Sequence, residues 1–227
     1  MGQLWQERRE LRGAIYRRDW PALLRLLDCE PRTDQLQLAG AGLLVALADE
    51  ESWGEVARRL SAALPERRWV GDQELAEEID AALVGRGTGR RAVPVDLSEL
   101  ADSLEGGLSG DAGGLLDLVT GQIWPGEVLD YPAPDLCDLP DVDDDPDRWL
   151  ELPTPISGDR WRDMRDFAEI LPEPHHQRLW DAIDGRGAFR RFRRELDRAG
   201  EDVRDRWLAF REERALGRTR AWLAGDG

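Results

Sequence analysis

The sequence has no lysine and no asparagine, and all 31 of its basic residues are arginines. Without lysine there is no P-loop lysine, no Schiff-base lysine and no lysine of a kinase site. The exclusive use of arginine matches the codon bias of a GC-rich genome, so no single arginine can be credited with selection over lysine for its planar fork. Cysteine is also scarce. Cys29 and Cys137 are far apart and form no CxxC pair, so neither a disulfide framework nor a zinc site is indicated and two reduced thiols are the expectation. No apolar run approaches the roughly 18 to 20 residues that span a bilayer, and "MGQLWQERRELRG" is charged where a secretion signal needs its apolar centre. The expected location is cytoplasmic, with no membrane partner. Only two histidines are present, the adjacent His175 and His176, with no serine, cysteine or metal-ligand spacing around them. His176 is expected to be a partly buried structural residue.

Acid is abundant, but it is concentrated. Residues 1–92 hold 14 arginines against 16 acids, residues 93–157 hold 1 against 16, and residues 158–227 hold 16 against 15, so the net charge of -16 is almost wholly a middle segment. Local surface potential governs binding, and the whole-chain charge does not by itself exclude an anionic partner.

Residues 1–92 read as a helical N-terminal domain. "WPALLRLLD" from Trp20 and "WGEVARRLSAAL" from Trp53 begin 33 residues apart, and each is followed by a second helical stretch. This spacing fits either two weakly similar helical hairpins or a small bundle anchored by tryptophans. "GRGTGRRAVP" then reads as a linker, and no strand precedes its glycines to make a nucleotide-binding turn. Residues 93–227 read as an α+β domain. Asp96 and Glu99 signal a helix start before Leu97, Leu100 and Leu104. "GLLDLVTGQIW" reads as a hairpin turning at Thr120-Gly121, and "RWLELP" as a third strand. In "DLCDLPDVDDDPD", 7 of 13 residues are aspartate. A calcium loop starting at Asp141 fails at Pro146, where glycine must turn the chain, and at Leu152, where a bidentate glutamate belongs. Helices follow, the first with Trp161, Met164, Phe167, Ala168 and Leu171 on one face. The expected fold class is mainly α with a small antiparallel sheet.

"GRGAFRRFRREL", from Gly185 to Leu196, gathers five arginines around two phenylalanines. At about 100° per residue, Phe189, Phe192 and Leu196 share one face, and Arg190, Arg191, Arg194 and Arg198 share the opposite arc. The phenylalanines are thus expected in the core and these arginines outside. Gly185 and Gly187, on either side of Arg186, permit a tight turn that brings backbone N–H groups to a helix start, where anions bind. On the last helix Arg211, Arg214 and Arg218 fall near Trp207, Phe210, Trp222 and Val203. Arginines on an apolar face must snorkel, pair with acids or hold an external anion.

Four stretches in order, "LLDLVTG", "RDMRDFAE", "AIDGRGAFRRFRREL" and "WLAFREERALGRTRAWL", resemble uncharacterised protein family 0158, bacterial proteins with a Gly-Ala-Phe-Arg-x-Phe core motif. The resemblance covers roughly residues 93–223. It departs at Val119 and Gln122, where members usually carry acids around the turn. It implies motif residues and fold boundaries and no established activity.

The functional expectation is a non-catalytic, cofactor-free binding or regulatory module. Arg186, Arg190, Arg191, Arg194, Arg211 and Arg214 are its candidate binding residues, and its partner an acidic protein or a short phosphate-bearing ligand, with nucleic acid bound weakly at most. The alternatives are an enzyme acting on a phosphate-bearing substrate with carboxylates of the sheet, and a scaffold working through the N-terminal helices, with the arginines held internally by acids of the middle segment.

Overall fold

The structure, a computed structural model, describes residues 3–28, 32–49, 53–105, 113–130, 142, 145–153 and 157–226. Cys29, Cys137 and most of the aspartate-rich stretch, including the first, third and fourth positions of the failed calcium loop, lie outside them. The fold is mainly α with a three-stranded antiparallel sheet, as the sequence patterns indicate. Among the described residues no helix is long and apolar enough to cross a membrane.

The chain divides into two compact units. The first comprises Met1–Arg86 and Ser157–Arg214, the second Gly87–Ile156 and Ala215–Gly227. This differs from a single boundary at residues 92 and 93. The linker end is close to the crossing at Arg86, but the helices after Ser157 group with the first five helices.

The first unit begins with α1 (Gln3–Tyr16), α2 (Trp20–Leu27), α3 (Leu36–Asp49), α4 (Gly54–Arg67) and α5 (Asp72–Leu83). Asp19 caps α2 by accepting from the Ala22 N–H at 3.1 Å, with Pro21 in the first turn, where no N–H is needed. Trp20 and Trp53 are both buried in one cluster with Leu23, Leu43, Leu64 and Ile79, so the tryptophans anchor a small bundle. Gly40 and Gly42 admit close neighbours: a Cβ at either would stand 2.5 Å from a Leu75 or Ile15 side chain. The unit continues with α8 (Ser157–Glu169), α9 (His175–Ala182), α10 (Ala188–Ala199) and α11 (Glu201–Asp226) as far as Arg214. Met164, Phe167, Leu171, Leu179, Phe192, Leu196 and Phe210 form their core, with Trp69 from the α4–α5 turn packed against it. Trp69 and Phe210 meet edge to face at 5.0 Å. Of the expected apolar face of α8, Met164, Phe167, Ala168 and Leu171 are buried and Trp161 is 40% exposed.

A buried ion network explains why α11 belongs with α1–α5. Glu213 is fully buried and accepts from the Gln37 and Leu38 N–H groups at 2.7 and 3.1 Å, which caps α3 from outside its own sequence. Arg8 of α1 and Arg67 of α4 reach the same carboxylate at 3.3 and 3.0 Å. Arg67 also forks onto Asp72, Nε to Oδ2 at 3.0 Å and Nη2 to Oδ1 at 2.5 Å, and lies 4.2 Å from the Trp69 ring centre. Burial works against the charge on Arg67, but Asp72 and Glu213 outweigh it and hold its pKa above the ordinary value. Burial would likewise raise Glu212; Arg8 and Arg12 overcome this and hold it lower.

The second unit contains α6 (Leu97–Leu104), β1 (Gly114–Asp117), β2 (Ile123–Pro125), α7 (Gly126–Asp130), a 3-10 turn (Pro146–Arg148), β3 (Trp149–Leu152) and α11 from Ala215. Asp96 caps α6, its Oδ1 accepting from the Ser98 and Glu99 N–H groups at 2.8 and 3.2 Å. The strand order is β2-β1-β3, with Leu116 opposite Ile123 on one side and Leu150 on the other. Leu100, Leu116, Leu118 and Leu152 are its core, backed by Trp222 and Leu223. At the hairpin turn Gly121 has φ +76° and a Cβ would stand 2.0 Å from the Pro94 carbonyl, so only glycine fits. Asp117 is buried beside that turn. It accepts from the Val119 N–H at 2.8 Å and takes a two-pronged bond from Arg148, 3.0 and 2.6 Å. Arg148 holds the Asp117 carboxyl well below the usual carboxylate range, with the Val119 and Thr120 bonds adding to the effect against the cost of burial.

Candidate anion-binding surface

The candidate surface starts from the turn between α9 and α10. Gly185 and Gly187 have φ +67° and +79°, the left-handed conformation that the sequence anticipates there. Ala188, Phe192 and Leu196, four residues apart, are buried and fix the inner face of α10. Phe189 stands on the flank of that face and is 50% exposed, which corrects its expected place in the core.

Arg191 also departs from its expected outward position. Its guanidinium folds back over the end of α9, Nε donating to the Ala182 carbonyl at 3.2 Å and the Nη atoms to the carbonyls of Asp184, Arg186 and Gly185. The Ala182 carbonyl is one that α9 leaves without a partner at its C-terminus, and the other three belong to the turn that follows. Arg191 therefore clamps the turn and is spent on the fold.

The other predicted residues divide clearly. Arg186 and Arg190 are exposed and, with the equally exposed Arg193, have no ion-pair partner among the described residues. Arg194 is exposed and only 4.0 Å from Glu195, whose nearer partner is Arg198 at 2.5 Å. Arg211 is exposed on α11. Arg214 is mostly buried, with Nε donating to Asp163 at 2.7 Å and Nη2 to Asp166 at 3.0 Å beside the rings of Trp69 and Phe210. It is an internal partner of α8. Arg218 pairs with Glu105 at 2.6 Å inside the second unit. The turn and the start of α10 thus carry Arg186, Arg190 and Arg193 exposed within eight residues of chain that also hold Phe189, while Arg191 and Arg214 support the fold.

Next to this turn is a cleft of about 840 Å³ lined by Trp161, Arg165, Trp180, Asp181, Ile183, Asp184 and Gly185. Sequence reasoning missed it, although the two tryptophans on polar helices were a visible signal. Trp161 Nε1 donates to the Ile183 carbonyl at 3.3 Å, which fixes its ring against the end of α9. Trp180 is stacked on His176 at 5.8 Å and is 41% exposed. His176 itself is half-buried, its Nδ1 donating to the Ala168 carbonyl at 3.0 Å. No group of three or more His, Cys, Asp or Glu among the described residues is placed to hold a metal ion.

Compared with known proteins, the chain matches no family model, no curated protein and no solved structure.

Proposed function

We propose that the protein is a non-catalytic binding or regulatory module whose α9–α10 turn and outer face of α10 contact an anionic group on a partner or ligand. The observation that carries this reading is the trio Arg186, Arg190 and Arg193, exposed in the same short stretch of chain as the half-exposed Phe189 and with no ion-pair partner among the described residues. Elsewhere in the molecule Arg8, Arg67, Arg148, Arg214 and Arg218 are all paired with carboxylates. The motif from Gly187 to Phe192, which resembles the core of family 0158, divides in the same way. Ala188 and Phe192 are consumed by packing, whereas Phe189 and Arg190 face solvent and contribute little to folding. A bacterial, cytoplasmic setting fits that resemblance and belongs to the proposal.

Catalysis by carboxylates of the sheet has less support, because Asp117 is held ionised and bonded to Arg148 and so is poorly suited to exchanging a proton near neutral pH. The test is the triple variant Arg186→Ala/Arg190→Ala/Arg193→Ala. Its melting temperature should match wild type, because exposed charges contribute little to stability, while capture of a fluorescent polyanion should be lost. A destabilised variant, or one that binds as wild type does, would refute the proposal.

A further inference from the structure

The cleft beside the arginine trio is directly continuous with it in the chain. Asp184 and Gly185 form part of its lining, Arg186 is the next residue, and Arg190 follows on the first turn of α10. The rim is held in place by Arg191, which ties the carbonyls of Ala182, Asp184, Gly185 and Arg186 together.

Two partly exposed indoles in one cleft offer flat apolar faces, and each is already oriented, Trp161 by its bond to Ile183 and Trp180 by its stack on His176. The charges inside the cleft are nearly cancelled or acidic. Arg165 spends Nε and Nη2 on Asp166 at 3.0 and 2.7 Å. Asp181 accepts from Gln177 at 2.7 Å, and Asp184 is exposed. A phosphate is therefore unwelcome in the cleft, and a cation is unwelcome beside Arg186, Arg190 and Arg193. A flat, neutral ring that carries N–H donors suits the indoles and the carboxylates together, provided that its attached charge is negative and lies outside. Nucleobases with exocyclic amines meet those conditions, and the volume is within the range of small-ligand sites, about 300 to 1,000 Å³.

We propose that the anion taken by this surface is a short single-stranded nucleic acid, with one amino-bearing base seated between Trp161 and Trp180 and the adjoining phosphates on Arg186, Arg190 and Arg193. The inference rests on the anion-binding reading above and adds to it the class of ligand. Stacking on aromatic side chains combined with a basic track is the general mode by which single strands are held, and the short basic patch limits the footprint to a few nucleotides.

The test compares a short oligodeoxyadenylate with an abasic oligomer of the same phosphate count, both labelled, by fluorescence anisotropy on the full chain. The adenylate should bind about tenfold more tightly, from stacking of a single base. Trp180→Ala should erase that difference and leave the abasic affinity unchanged. Because the two oligomers are compared on the wild-type protein, the result does not depend on the variant's folding. Equal affinity for both oligomers would overturn the base-binding cleft and leave the anion reading intact. Binding of an acidic peptide with no binding of either oligomer would overturn the nucleic acid proposal, and failure of all three probes would overturn both readings.

Discussion

Replacing Glu213 by alanine is the sharpest test of how the first unit is held together. The carboxylate has no exposure and receives four donors: the Gln37 and Leu38 N–H groups, Arg8 and Arg67. Arg67 retains Asp72 in the variant, and Arg8 retains the Asp34 carbonyl at 2.6 Å and Glu212 at 3.0 Å, so neither guanidinium is wholly stranded. The start of α3, however, loses its external cap, and two buried cations lose a shared counter-charge. Breaking a buried ion pair from one side costs about 3 to 5 kcal/mol. With about 2 to 4 °C lost per kcal/mol in a domain of this size, the melting temperature should fall by about 6 to 20 °C. Glu213→Gln keeps the shape and one acceptor oxygen and should fall between the variant and wild type. Thermal melts followed by circular dichroism read both. A Glu213→Ala protein within about 0.5 kcal/mol of wild type, the ordinary range for surface substitutions, would refute the claim that this network joins α11 to the first five helices.

Other expectations follow from the same contacts. Phe192→Ala removes a fully buried ring and should cost about 3 to 5 kcal/mol, whereas the half-exposed Phe189→Ala should cost about 1 kcal/mol or less by urea denaturation; equal losses would place Phe189 in the core. The folded-state value of Asp117 lies below the ordinary carboxylate range, so the stability from its pairing is fully present above that range and is lost as pH falls through the folded-state value. Melts at successively lower pH should therefore show a steeper acid loss in wild type than in Asp117→Asn, and parallel curves would contradict the pairing. A fragment of residues 93–227 lacks Arg8, Arg67 and Trp69, the partners of Glu213 and Phe210, and should not show the single cooperative melt of an independent domain. A sharp transition in that fragment would restore the boundary at residue 93.

Much of the fold was legible because its signals are local. Asp96 caps α6 by bonding two and three residues ahead, and the positive φ of the hairpin turn favours glycine at 121. The inner face of α10 was legible too, through Phe192 and Leu196. Phe189 was misplaced because a helical wheel at about 100° per residue puts it only about 60° from Phe192, on a flank that either core or solvent can claim. The role of Arg191 depends on where the end of α9 lies in space, and no helical phase contains that. Glu213 was missed for a further reason: between Ala209 and Arg220 α11 buries residues outside its aromatic face as well, so that face does not tell which polar residues lie inside. Its partners Arg8 and Gln37 are far away in the chain, at separations of 205 and 176 residues.

The central claim, that Arg186, Arg190 and Arg193 form a surface for an external polyanion, is tested most directly by the salt dependence of binding to a short single-stranded oligonucleotide. Three phosphate contacts on a single strand give a slope of about -2 in log K against log salt, so raising salt from about 50 to 200 mM should weaken binding about twentyfold. The triple alanine variant should bind weakly and show a slope near zero while keeping its melting temperature. Wild-type binding that is indifferent to salt, or a variant with the wild-type slope, would contradict the claim.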